Sequence, residues 1–283
     1  MAKKNNLPKN KSTGIVLFAD LRDSTDILVN FEQGLYKNAG DGSDSAFTYE
    51  KFIFDLHEIT YKELYLNHEN TYSELYGDGV MAVFPEDNSK YILENIYRLT
   101  KKMRAYNDHE IGLPRPRIDI GVGITTGTVH FVFFPLDERS HPVGQCIHEA
   151  SRIVGVSKLY DARILISHRF FNFTEGFLNY DKRFSYRFID RVILKGFREP
   201  ITLFEVLMDS DPRFDIKKNS MPAYSKAYSK YVQKNWAEAK DLFSEIFQEY
   251  GLGIGTVMAN RCDLLISHSP GPEWNGIWEF RDK

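Results

Sequence analysis

The sequence is short of several features that would assign its class at once. Its two cysteines, Cys146 and Cys262, are far apart and form no CxxC pair. No disulfide framework or structural zinc site is therefore written into the chain, and a reducing compartment is expected. No apolar run approaches the ~18–20 residues needed to cross a bilayer, and the N-terminus lacks the apolar stretch of a signal peptide. A cytoplasmic protein with no membrane segment is the expectation. An excess of positive charge is missing as well: the formal net charge is −3. That speaks against a general nucleic-acid binder, which needs a basic surface. Lys3, Lys4, Lys9 and Lys11 lie among Asn and Pro, and residues 1–12 read as a disordered tail.

What is present is a globular composition. Hydrophobic residues make up 42% of the 283 and charged residues 27%, and the 14% of aromatics is far above what a disordered chain carries. GIVLFAD over 14–20 reads as a buried strand, and 37–46 as a polar loop. Phe52, Leu56, Ile59 and Leu66 fall on one helical stripe. The stretch 72–84 has apolar runs around Gly77-Asp78-Gly79, a hairpin signal. Helical spacing returns over 89–106, and 117–134 reads as two strands separated by a Gly-Thr turn. The order is that of a ferredoxin-like βαββαβ palm, so the fold class is α+β. A helix over about 143–157 follows, then strands near 163–167, 184–193 and 201–207. Helices around 222–234, 236–249 and 255–267 close the chain, with a boundary expected in the polar SDPRFD stretch. The expected domains are 13–208, and 209–283 as an all-α tail.

In a βαββαβ palm the first strand is central and lies beside the hairpin. Asp20 at the strand end and Asp78 at the hairpin tip then converge at one sheet edge. Two carboxylates with the backbone carbonyl of Leu21 suit a hard divalent cation such as Mg²⁺. Such ions can clamp the attacking and leaving oxygens of an in-line phosphoryl displacement. Arg22-Asp23-Ser24-Thr25 opens a helix, and the free N–H groups at Ser24 and Thr25 are placed to receive phosphates. Taken singly, an Asp-Gly is a turn and a strand-end Asp is a cap; it is their joint placement that points to chemistry.

With these residues in view, the sequence resembles the class III nucleotidyl cyclases. FADLRDST looks like the family's first metal motif, ELYGDGVMAVF like the second and IGVGITTGTVHF like the strand pair that follows. VGQCIHEASRIV looks like the substrate helix, and KGFREPITLFEV like the lysine-bearing loop and last strand. The resemblance covers about residues 13–208. It implies two Mg²⁺ or Mn²⁺ ions per active site held by Asp20 and Asp78. It also implies that Arg152 steadies charge at the α-phosphate and Lys195 grips the triphosphate. In the family these last two come from the partner subunit, which implies a head-to-tail homodimer with active sites at the interface. The reaction implied is attack of the ribose 3′ oxygen on the α-phosphorus, giving a 3′,5′-cyclic nucleotide and pyrophosphate.

Two positions depart from the family. His148 stands where an asparagine usually orients the ribose. Thr128 stands where many members carry a phosphate-binding arginine, a contact left to Arg22 or another residue. The base-reading positions are Glu74 and His141. Glutamate at the first is what guanylyl cyclases have. A carboxylate only accepts, and adenine offers no ring N–H on its Watson–Crick edge, so ATP is disfavoured. Guanine and uracil both carry such an N–H. Tyr49, on the helix expected beside the base, would narrow the pocket towards a pyrimidine, though a core aromatic fits its spacing equally. The sequence also looks similar to the pyrimidine cyclases of bacterial antiphage signalling, which make cyclic UMP or cyclic CMP. The expectation is UTP to cyclic UMP, with GTP next and ATP last.

Residues 227–251 resemble one tetratricopeptide-like unit, with Ala227, Tyr231, Trp236, Ala237, Ala239 and Phe243 as its packing residues. One such unit cannot cover its own apolar face. The tail must dock on the cyclase domain, on a second copy or on an unknown regulator, and serves as a sensing module or a stabilising strap. A diguanylate cyclase or polymerase palm shares the βαββαβ core, but the hairpin reads YGDGV rather than GG(D/E)EF. The reading of another class is a catalytically degenerate cyclase-fold dimer that acts as a scaffold or sensor.

Overall fold

Residues 11–36, 47–64, 72–108, 115–136 and 138–281 are described by the structure, a computed structural model. Most of the expected N-terminal tail and all of the polar loop 37–46 lie outside the described residues. Lys11 and Ser12, expected in that tail, instead open the first strand, β1 (Lys11–Leu21).

The residues fall into two compact units, 1–122 with 126–148, and 123–125 with 149–283. In the first, β1 reads as a continuous apolar run because it is covered on both faces: Ile15, Val16 and Leu17 have no exposed surface. It pairs antiparallel with β3 (Gly79–Pro85) from Gly14 opposite Pro85 to Ala19 opposite Val80. β3 forms a hairpin with β2 (Tyr72–Tyr76). Four strands then run in the order β2-β3-β1-β4, where β4 is Ile120–Phe134. A short helix α1 (Ser24–Glu32) follows β1. The connecting helices are α2 (Tyr49–Leu64), which buries Phe52, Leu56, Thr60 and Leu64, and α3 (Ser89–Asp108), which buries Ile92, Leu93, Ile96, Leu99 and Met103. This is the expected ferredoxin-like palm, and α1 is an addition to it.

β4 corrects one expectation. The stretch read as two strands around a Gly-Thr turn is a single 15-residue strand. Gly127 is small because helix α4 (Gln145–Ser157) passes over it: a Cβ there would stand 2.8 Å from the Cβ of Cys146. The reversal comes later, where β5 (Arg139–Val143) pairs back on β4. Pro142 sits on this outer strand, the position a sheet tolerates for a residue without an N–H.

The second unit contains β6 (Ile164–Ser167), α5 (His168–Tyr180), β7 (Phe184–Ile193) and β8 (Ile201–Met208). It continues through α6 (Phe214–Asn219), α7 (Met221–Val232), α8 (Trp236–Tyr250), α9 (Gly253–Ser267) and β9 (Trp278–Glu279). The sheet order is β6-β8-β7-β9. Helices α7–α9 share one core with these strands: Tyr224, Tyr231, Phe243 and Met258 pack with Ile189, Val192 and Leu203. The Tyr224 hydroxyl donates a 2.5 Å bond to the Ile189 carbonyl. The apolar face of the tetratricopeptide-like pair is thereby covered, although Ala237 faces solvent rather than the core. No helix among the described residues is long and apolar enough to cross a membrane.

Candidate active site

The β2–β3 hairpin is a two-residue turn, Gly77-Asp78, with Tyr76 opposite Gly79. Gly77 adopts a positive φ of 58°, which a glycine at the first turn position takes without strain. Ala19 is opposite Val80, so Asp20 lies level with Gly79 and beside the turn that carries Asp78. The closeness shows in the chemistry. Desolvation, with the charge of Asp78 behind it, pushes the Asp20 carboxyl above its ordinary value; the Leu21 N–H opposes the shift. Asp78 also pushes up the Tyr49 hydroxyl, after desolvation, so Tyr49 stands at this edge as well.

Two like charges held this close call for a cation. Among the described residues no cluster of three or more His, Cys, Asp or Glu side chains is built to hold a metal. The candidate donors at this edge are the Asp20 and Asp78 carboxylates, with the Leu21 carbonyl as the third that the sequence suggests. That composition fits Mg²⁺ or Mn²⁺, which bind through one or two carboxylates and the substrate's phosphates. Just beyond, Asp23 turns the chain in a left-handed conformation (φ 57°) at the N-cap of α1. The N–H groups of Ser24 and Thr25 belong to the first turn and have no intrahelical acceptor. Arg22, the candidate for the contact missing at Thr128, lies beside Asp119. Its N–H bonds the Asp119 carbonyl at 2.8 Å, and its Nε lies 3.9 Å from the Asp119 carboxylate.

Glu74 sits in the middle of β2 with Tyr72 and Tyr76 on the same face. Both hydroxyls donate to its Oε2, at 2.9 Å and 2.7 Å. The His141 Nδ1 lies 3.2 Å from the Tyr72 oxygen. Tyr72 has one proton and spends it on Glu74, so His141 Nδ1 must be the donor. The structure thus brings Glu74 and His141 together, and the link is Tyr72. Burial and Glu74 push the Tyr76 hydroxyl up to about 12 and raise that of Tyr72 also. A pocket of about 1030 Å³ is lined by Tyr49, His57, Tyr61, Glu74 and Arg139, so Tyr49 and Glu74 share one cavity.

In the second unit Arg152 and Lys195 line one pocket of about 760 Å³, with Leu194, Val156, Leu159 and Phe280 as its apolar walls. Arg152 comes from α4. Lys195 comes from the turn after β7, where Gly196 takes a φ of 85° and the Phe197 N–H bonds the Leu194 carbonyl at 2.9 Å. The two proposed phosphate-gripping cations thus belong to one compact unit and the aspartates to the other.

No protein-family model matches the chain. In sequence it is similar to an adenylate cyclase of Anabaena cylindrica, 33% identical over 139 residues, covering 46% of this chain and 26% of that one. It is also similar to the terminal-differentiation-specific adenylate cyclase of Dictyostelium discoideum, 28% identical over 173 residues, covering 59% of this chain and 8% of that one. The matched region thus spans only a minor part of either relative. In fold it is similar to a bacterial light-regulated adenylyl cyclase, with a TM-score of 0.52 at 12% identity over 71% of this chain and 92% of that one. An adenylate cyclase of Trypanosoma brucei gives 0.51 at 11% identity, over 75% and 95%. The fold is that of a class III nucleotidyl cyclase.

On this cyclase fold the quoted motifs take definite places. FADLRDST runs from β1 into α1, ELYGDGVMAVF is the β2–β3 hairpin, VGQCIHEASRIV is α4, and KGFREPITLFEV is the turn after β7 with β8. His148 and Thr128 are exposed on α4 and β4. The packed side of α4 differs from the Ile147, Ala150 and Val154 stripe that the spacing predicts. Ala150 and Ile153 are buried, Ile147 and Val154 only partly so, and Glu149 is buried as well. Glu149 accepts a 2.6 Å bond from Thr125 and pairs with Arg169. Thr125 also bonds Ser167 at 2.8 Å, the residue that caps α5. Sequence reading missed this network, because a glutamate in a helix gives no sign that it faces inward. It missed the Tyr72 and Tyr76 clamp too, though two tyrosines at i−2 and i+2 of a strand glutamate are a legible signal.

Proposed function

We propose that the chain is a nucleotidyl cyclase that converts a nucleoside triphosphate, UTP by preference, to its 3′,5′-cyclic nucleotide and pyrophosphate. The observation that carries this is the juxtaposition of Asp20 and Asp78 at one sheet edge. In this reading Asp20, Asp78 and the Leu21 carbonyl hold two divalent ions. When bound, those ions would supply the charge that favours loss of the ribose 3′ proton and steadies the triphosphate. The N–H groups of Ser24 and Thr25 receive phosphate oxygens. Arg152 and His148 face the reacting phosphate and ribose, and Lys195 the triphosphate, from a second copy of the chain in a head-to-tail homodimer. Arg152 and Lys195 belong to a different compact unit from the aspartates, whereas His148 belongs to the aspartates' own unit. Catalysis is then positioning and electrostatic stabilisation.

Base choice rests on Glu74, which both tyrosines engage through Oε2, so that Oε1 is the oxygen available to an N–H of the base. Tyr49 in the same cavity favours the smaller pyrimidine. A role for the product in antiphage signalling rests on the sequence resemblance alone. The test is incubation of the purified protein with each of the four triphosphates and Mn²⁺, with cyclic products resolved by mass. Cyclic UMP as the main product is expected. Cyclic GMP would keep the role of Glu74 and remove that of Tyr49; cyclic AMP would sink both. No product at all, with Asp20→Ala and Asp78→Ala leaving the dimer intact, would favour a scaffold.

A further inference from the structure

The unit that carries Arg152 and Lys195 also holds the C-terminal PEWNGIWEF segment, which none of the chemistry above uses. Two residues of it form β9, parallel to β7, with Trp278 beside Val192 and Glu279 beside Ile193. The Phe280 N–H then donates a 2.9 Å bond to the Ile193 carbonyl. Ile193 is two residues before Lys195. The Phe280 side chain goes on to form one wall of the pocket that holds Lys195 and Arg152.

The far side of this segment is tied to the helical tail. The Arg261 guanidinium of α9 lies 4.5 Å from the centroid of the Trp278 ring and 6.0 Å from that of Phe280. Arg261 is buried, pairs with Asp190 and donates a 3.0 Å bond to the Tyr160 hydroxyl. The Tyr160 ring meets Phe280 edge-on at 6.3 Å. The segment therefore bridges a rigid, charged core and the end of the strand that delivers Lys195.

We infer that β9 and Phe280 form a strap that positions Lys195, with Phe280 as the positioning residue. A lysine is a point charge on a flexible four-carbon stem, so where its charge can reach is set by the backbone that carries it. β7 ends just before Lys195, and without β9 its outer side at Val192 and Ile193 would be an open edge. The strap closes that edge, fixes the Ile193 carbonyl and walls the Lys195–Arg152 pocket with an aromatic ring. This gives the tail a role in substrate binding, and the role rests on the proposed cyclase reading.

The test compares the full-length protein with Phe280→Ala, Phe280→Leu and Phe243→Leu. Phe243 is a buried residue of the tail core outside the pocket, so its variant controls for lost stability. Phe280→Ala is expected to raise KM for the triphosphate on the order of tenfold with kcat little changed, the pattern of lost binding without lost chemistry. It is also expected to speed amide exchange over residues 195–197. Phe280→Leu should recover most of both, and Phe243→Leu should lower Tm without either. An unchanged KM in Phe280→Ala, or an equal rise in Phe243→Leu, overturns the strap. If the wild type cyclises no triphosphate, the cyclase reading fails and exchange alone judges the strap. Unchanged exchange over 195–197 in Phe280→Ala then overturns it.

Discussion

Asp20 reaches over Gly79 so closely that a Cβ added to the glycine would stand 3.0 Å from its Oδ1, and equally close to the Ala19 carbonyl. The side chain gives way readily, whereas the contact with the backbone carbonyl is relieved only if β1 shifts by a few tenths of an ångström, and both movements displace the carboxylate. Gly79→Ala is therefore expected to cost activity more than stability. Cyclic nucleotide formation should fall on the order of a hundredfold, since small misplacement of a positioned group has that effect. Thermal unfolding should shift by only a few degrees. A variant with wild-type turnover would show that Asp20 need not sit where the structure has it.

Removing the second carboxylate should separate function from stability. Asp78 raises the Asp20 carboxyl by repulsion, after desolvation. Asp78→Asn relieves that repulsion, worth ~0.5 kcal/mol for groups near the surface. In metal-free buffer the variant should be as stable as the wild type or slightly more so. Added Mn²⁺ should raise Tm in the wild type and not in the variant. Activity should fall on the order of a hundredfold or more. Equal Mn²⁺ stabilisation of both proteins, read by calorimetry, would place the ion elsewhere.

The tyrosine clamp makes a prediction about selectivity. Tyr72 and Tyr76 both donate to Glu74 Oε2, and only Tyr72 links the carboxylate to His141. Tyr76→Phe removes one donor and leaves the His141 link, so KM for the preferred triphosphate should rise about threefold. Tyr72→Phe removes a donor and the link together. Its effect should be larger, on the order of tenfold, since two hydrogen bonds of about 1 kcal/mol each are lost rather than one. The ratio of kcat/KM between UTP and GTP should narrow in Tyr72→Phe. Steady-state kinetics with both substrates decides this, and equal effects of the two variants would remove the link from the account.

Much of the palm was legible because its determinants are local. A strand covered on both faces reads as an unbroken apolar run, as at Ile15–Leu17, and a glycine-bearing two-residue turn marks the hairpin that carries Asp78. Gly127 was misread because a glycine required by a neighbouring helix looks the same in sequence as one required by a turn. Only the approach of Cys146 tells them apart. The tail helices were legible from their spacing, but β9 was not, since two paired residues leave no periodicity. Asp190, fully buried yet bonded to Tyr160, Tyr228 and Arg261, reads as a surface aspartate until those partners are seen.

The same kind of hidden charge governs acid stability. Glu205 on β8 is buried between the Arg187 Nε and the Lys217 Nζ, each at 2.7 Å, and it accepts a 3.0 Å bond from the Arg163 N–H. Burial alone would push its carboxyl up. Arg187 and Lys217 outweigh burial and hold it below the usual value of 4.5. A carboxyl with a depressed folded pKa contributes stability above its unfolded pKa, and that stability is lost as pH falls through the folded value. Wild-type Tm should therefore drop steeply below about pH 4.5. Glu205→Gln takes the shared charge from Arg187 and Lys217, leaving Lys217 with Asp211 at 3.7 Å, and should cost ~3–5 kcal/mol at neutral pH, with a shallower acid limb because the titrating group is gone. Denaturant titrations of both proteins from pH 3 to 8 measure this, and parallel acid limbs would assign the loss to other carboxylates.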